Sequence, residues 1–133
     1  MLQFRRCAAL TTAILLSIVV YAQGMADSFY FVHFKSSDGL PHQQIQSMAF
    51  DHDGRLWIGT RNGLASYDGY TFKSYFNDPA DKNSLTHNFV QNVYVDADDV
   101  LWVGTDRGIC RYRRDTDDFQ RYPDVDMRVH VVT

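Results

Sequence analysis

Two histidines stand 45 residues apart, His42 in "LPHQQ" and His87 in "LTHNF", and a metal-capable side chain at a repeating interval raises a zinc site as one reading. Zinc needs three or four nitrogen, sulfur or carboxylate ligands, and no third ligand recurs at a matching interval. "DHDG" (Asp51–Gly54) begins like a calcium loop but lacks the later Asp and the closing Glu; all 16 acidic residues of the chain are Asp. Its copy "DADD" puts Asp99 where Gly54 stands, which suits a hairpin turn that takes Gly or Asp at positive φ. The adjacent carboxylates Asp98–Asp99 and Asp117–Asp118 are expected to be solvated, not positioned as an acid/base pair. No Ser-His-Asp or Cys-His arrangement is legible, and Cys110 falls in a strand pattern. No catalytic residue, metal site or cofactor is therefore expected.

The elements that hold these residues repeat. "LWIGTRNGL" (Leu56–Leu64) returns as "LWVGTDRGI" (Leu101–Ile109), and at the same 45-residue offset Leu40 meets Leu85, Asp51 meets Asp96 and Tyr67 meets Tyr112. The offset then grows to 47, because "YRRDTDDFQRY" is two residues longer than "YDGYTFKSY", so that Phe72 meets Phe119 and Tyr75 meets Tyr122. Turn signals built on Asn or Asp beside Gly divide the first unit into strands at Ile45–Asp51, Leu56–Thr60, Leu64–Tyr67 and Thr71–Phe76. Four short strands in a unit of about 45 residues have the size of a propeller blade. The fold class is all-β: two four-stranded antiparallel blades forming an incomplete propeller.

Within that frame the repeated motif reads as packing. Trp57 and Trp102 sit on the second strand of each blade and fill the space between blades, while Gly59 and Gly104 let the indole lie close to the backbone. Thr60 and Thr105 close the strand, and Gly63 and Gly108 supply the turn. An aromatic platform for a sugar is the functional alternative. In a meander the turn between the second and third strands emerges beside the connections between blades. That rim gathers His42, Gln43, Arg61 and Asn62 from one unit and His87, Asn88, Asp106 and Arg107 from the other. Such side chains suit a hydroxyl-rich ligand. Ordinary polar loops are the other reading.

The first 22 residues stand apart. Arg5 and Arg6 precede a charge-free run from Cys7 to Met25 with an apolar centre. Val20 and Ala22 then occupy the −3 and −1 places of a cleavage site, with Gly24 and Ala26 as a second pair. This is the pattern of a secretory signal peptide, with an uncleaved membrane anchor as the alternative. Removal of residues 1–22 leaves 11 basic against 16 acidic residues, a net charge of −5 and no basic stripe for nucleic acid. Cys110 is then the sole cysteine, so no internal disulfide can form.

The pattern "DGL…I…D…G.LWIGT..GL..YDG..F..Y", carried twice between Phe29 and Tyr122, resembles the two-component regulator propeller repeat. The resemblance implies the periplasmic sensor region of hybrid histidine kinases of the Bacteroidetes type. Such regions use about fourteen units in two seven-bladed propellers. A β-sandwich, a membrane span, a kinase and a DNA-binding output follow them. It also implies sensing of oligosaccharide or polysaccharide breakdown products. Kinase activity would reside in the missing C-terminal part of a longer relative.

The expected organisation is a signal peptide at 1–22 and an orphan outer strand at 29–34, aligned with "YTFKSYF" and belonging to a missing last blade. Blades follow at 35–76 and 77–122, and an atypical tail at 123–133. Expected partners are a carbohydrate in the full-length context and further blades of the parent, or else self-association. An extracytoplasmic propeller enzyme and a nonfunctional truncated remnant are the competing readings. The leader carries the first prediction: the exported protein should begin at Gln23 or Asp27 in the periplasmic fraction. An intact Met1 start in the cytosol, found by mass spectrometry, would refute export.

Overall fold

The computed structural model describes residues 31–123, so the leader assigned to residues 1–22 and all but the first residue of the tail at 123–133 lie outside the described range. One sheet is formed by β1 (Ile45–Phe50), β2 (Leu56–Thr60), β3 (Gly63–Tyr67) and β4 (Phe72–Tyr75). The other is formed by β5 (Val90–Val95), β6 (Leu101–Thr105), β7 (Gly108–Arg113) and β8 (Asp118–Tyr122). Each is a four-stranded antiparallel meander in sequence order. These are two propeller blades.

The repeat extends to irregularities. The register slips between Ile45 and Ser47 against β2, and again between Val90 and Asn92 against β6. Gly63 and Gly108 hold φ of 113° and 107° at the second turn, where a Cβ would meet Phe76 and the Tyr122 carbonyl respectively. In both blades the incoming connection overlies the outermost strand. The Gly39 carbonyl accepts from Ser74 Oγ at 2.9 Å in the first. In the second, Phe119 N–H donates to the Asn83 carbonyl at 2.8 Å, and Arg121 donates to the Ser84 carbonyl at 2.7 Å and the Asp81 carbonyl at 2.7 Å.

The expected strand at 29–34 falls partly outside the described residues, and from Phe31 to Lys35 the backbone joins no sheet. Each sheet already has its own fourth strand, and the connection through Gly39 lies across β4. Phe34 instead packs its ring 5.0 Å from both Tyr67 and Phe72.

The main core lies between the blades. Trp57 is fully buried, its ring 4.7 Å from Tyr112 of the second blade and 5.8 Å from Tyr75 of its own. Leu64, Val90, Val103, Cys110 and Phe119 complete the same cluster. A smaller cluster of Leu40, Ile58 and Ala65 occupies the outer face of the first blade. Gly59 has a different role from the one its sequence context suggests. A Cβ there would come within 2.7 Å of Val90 Cγ1 and 3.4 Å of Val93 Cγ1, so the missing side chain admits the first strand of the next blade, not the indole. Ser47 fastens the same contact, accepting from Val93 N–H at 3.2 Å.

Two sets of substitutions test this core. Trp57→Ala should lower unfolding free energy by about 3–5 kcal/mol, and Trp102→Ala, at a half-buried site, by less. Gly59→Ala should also destabilise the fold, and Val90→Ala in the same chain should recover part of the loss. Denaturant titration reads both, and equal costs at the two tryptophans would contradict the packing.

Candidate functional site

A meander has two ends. At one lie the β2–β3 and β6–β7 turns with the connections that enter each blade, and this end carries all eight rim residues named from sequence. His42 Nδ1 accepts from Gln44 N–H at 3.0 Å, and His87 Nδ1 accepts from Phe89 N–H at 3.1 Å, so the paired histidines cap equivalent turns and do not converge on a common point. Asn88 is tied into the framework. Its Oδ1 accepts from Asn77 N–H at 2.7 Å, and its carbonyl from Gly63 N–H at 2.6 Å. Thr60 and Thr105 hold the turns by donating Oγ–H to the Gly63 and Gly108 carbonyls at 2.7 and 3.0 Å.

The remaining five, Gln43, Arg61, Asn62, Asp106 and Arg107, are exposed. Arg61 donates to Gln44 Oε1 at 3.4 Å, and its guanidinium lies 5.8 Å from the Phe89 ring centre. Asp106 accepts from Gln91 Nε2. A groove of about 560 Å³ brings together His42, Gln43 and Arg61 with Ser36, Pro41 and Gln44. Asn62 and the four second-repeat residues do not line it. The groove offers an amide, a guanidinium and an imidazole edge, a set suited to neutral hydroxyls.

The opposite end holds a second groove that the sequence reading missed. It begins with an aspartate. Asp51 Oδ1 accepts from Asp53 N–H at 3.1 Å and Arg55 N–H at 2.9 Å, and Oδ2 accepts from the Trp57 indole N–H at 3.0 Å. Asp96 does the same with Asp98 at 3.0 Å, Val100 at 2.9 Å and Trp102 at 2.9 Å. The carboxylates of the calcium-like turns are thus occupied by protein donors. Gly54 and Asp99, at φ of 82° and 60°, form the turn. The indole bond holds the Asp96 carboxyl below its ordinary range, helped by the Val100 N–H. An Asp six residues before each Trp was the readable signal.

Between the blades at this end, Arg114 from the β7–β8 turn pairs with Asp51 at 3.1 Å, Asp53 at 2.5 Å and Asp99 at 2.8 Å. Asp117, at φ 54°, accepts from Lys73, from Tyr75 Oη at 2.8 Å and from Tyr112 Oη at 2.9 Å. Burial works against its charge, but these three donors prevail and hold its carboxyl low. Burial, then the bond to Asp117, pushes the Tyr75 phenol up. Asp118 forms a two-pronged bond with Arg113 at 2.7 and 2.8 Å. The expectation of solvated carboxylates therefore fails at Asp99 and Asp118, which are half-buried against arginines, while Asp117 stays exposed and is nonetheless bonded across the blades to Lys73 and Tyr75. Arg55, Lys73, Tyr75, Tyr112, Arg114 and Asp117 border a polar groove of about 460 Å³.

The family described as two component regulator propeller matches residues 39–62 and 84–107, the kernel of each blade. Over 66 residues, half of this chain, the sequence is 42% identical to histidine kinase P4 of Formosa agariphila, of which the match covers 5%. Two solved structures from B. thetaiotaomicron are similar. One is the extracellular domain assigned to the hybrid two component system BT3049, with TM-score 0.61 and 29% identity over 68% of this chain and 13% of that one. The other is the extracellular domain assigned to the hybrid system BT4673, with TM-score 0.51 and 28% identity over 59% of this chain and 11% of that one. The chain thus spans a small part of each relative.

Acid should weaken both blades at this end, through Asp96 in the first turn of blade two and Asp117 in the groove. Asp96 and Asp117 titrate lower when folded than when unfolded, so the unfolded chain binds more protons as pH falls. Their stabilisation is present above the ordinary carboxylate range and is lost as pH drops through the lowered values. Melting temperature should fall on acidification, and Asp96→Asn should make that fall shallower. A pH profile unchanged by the substitution would refute the assignment.

Proposed function

We propose that this chain, a member of the two-component regulator propeller family, is a segment of the periplasmic ligand-sensing region of a hybrid histidine kinase. It contributes binding surface and blade architecture. The kinase chemistry resides in another part of a longer protein. What supports this reading is that similarity extends to the extracellular domains of two hybrid two component systems and to a histidine kinase. No helix among the described residues is long and apolar enough to cross a membrane.

The ligand class is an oligosaccharide released from a polysaccharide, and the binding surface is the rim groove at His42, Gln43 and Arg61. Its exposed amide and guanidinium can each engage two hydroxyls, and neither is committed to an ion pair among the described residues. A hydroxyl-rich ligand needs several such donors and acceptors in an open cleft that leaves its ends free.

Calorimetric titration with a panel of neutral and acidic oligosaccharides tests the reading. One of them should bind, and Arg61→Ala and Gln43→Ala should each weaken it by about tenfold, roughly 1.4 kcal/mol, with thermal stability unchanged. No heat from any oligosaccharide, or binding indifferent to both substitutions, would remove the rim groove from consideration.

A further inference from the structure

The bonds that fasten the two blades leave one cation over. Of the three cations bordering the inter-blade groove, Arg114 is shared among Asp51, Asp53 and Asp99, and Lys73 pairs with Asp117. The carboxylates there are engaged as well. Asp117 also accepts from Tyr75 and Tyr112, and Asp68 accepts from Tyr70 N–H at 2.9 Å and Thr71 N–H at 2.8 Å within its own turn. Arg55 is different. It is half-buried, its backbone N–H is bonded to Asp51, and its guanidinium has no acceptor among the described residues. That group lies 5.7 Å from the Trp57 ring centre, held against the indole with its edge N–H groups uncommitted. Burial, then the bond to Asp117, pushes the Tyr112 phenol up, and the Arg55 charge opposes that shift, as a guanidinium facing the same groove must. The blade itself does not require a cation here. The equivalent position in the second repeat is Val100, and the two first turns close alike through Asp51 and Asp96.

We propose that the inter-blade groove is a second binding site, at the end opposite the rim, for the carboxylate or sulfate of an acidic sugar. Arg55 offers the edge of its guanidinium to two anionic oxygens at once, the arrangement in which arginine holds such groups best. Ser66 and Thr71 border the same groove, so ring hydroxyls of the ligand meet hydroxyls of the protein. Asp68 and Asp117 face it too, and they disfavour a ligand carrying more than one anionic group. At about 460 Å³ the groove falls within the roughly 300–1,000 Å³ of small-molecule sites. Its lining comes from both blades, so the site is complete within this chain. The choice of a sugar as scaffold rests on the ligand-sensing reading, whereas the choice of an anion rests on Arg55.

Nuclear magnetic resonance of the full chain, titrated with glucuronate, a sulfated glucose and glucose itself, tests the proposal. The Trp57 indole N–H, identified with the help of Trp102→Phe, should shift with both acidic sugars and not with glucose. Arg55→Val, which installs the residue of the second repeat, should weaken binding by about tenfold or more. Arg55→Lys should restore part of it, circular dichroism should show both variants folded, and Arg61→Ala at the rim should change nothing. No shift with either acidic sugar would overturn the proposal, as would equal affinity in Arg55→Val. Loss of binding in Arg61→Ala would place the acid on the rim and equally overturn it. So would an equal response to inorganic sulfate, because the hydroxyl contacts would then contribute nothing. Neutral oligosaccharides binding the rim while neither acidic sugar binds would defeat this inference and leave the ligand-sensing reading standing. The reverse result would defeat the rim groove alone and support the second site.

Discussion

The indole of Trp57 is held at its nitrogen by Asp51 and at its ring by Tyr75 and Tyr112, one from each blade. A four-stranded sheet with apolar residues on both faces cannot satisfy itself, and this side chain joins one sheet to its neighbour. The same Asp51 closes the first turn of its own blade and receives Arg114 from the other. Turn, core and interface therefore meet at a single carboxylate. The turn and indole bonds recur at Asp96 and Trp102, so that part of the arrangement belongs to the unit and not to one position.

The fold was legible because its determinants are local. Alternating apolar residues, Asn-Gly and Asp-Gly turns and a fixed offset are all properties of short stretches, so strand order and the turn glycines could be read directly. Gly59 was misread because its constraint comes from Val90, which lies 31 residues away and approaches from another sheet. The partners of Asp117 were invisible for the same reason: Lys73 and Tyr75 reach it across the blade interface. His42 and His87 looked like a pair because repeats align residues in sequence. In space a repeat separates its copies, and each histidine serves its own turn.

Both grooves follow from this division between local and distant contacts. The rim groove is lined by loop side chains whose bonds are local, His42 and Arg61 each to Gln44, so its lining is largely independent of the contact between the blades. The inter-blade groove is lined, Arg55 apart, by groups already bonded to one another, so its polarity stabilises the junction. Charge density alone would rank the two in the opposite order.

All strand pairings in the described chain join neighbours in sequence, across turns of a few residues. Hairpins of this kind form rapidly and need nothing that lies far downstream. Trp57, by contrast, cannot be covered until Tyr112 has appeared 55 residues later. During synthesis, a completed first blade therefore waits with its indole face open. That interval, set by the length of one repeat, is when an escorting chaperone has most to bind and a protease most to cut.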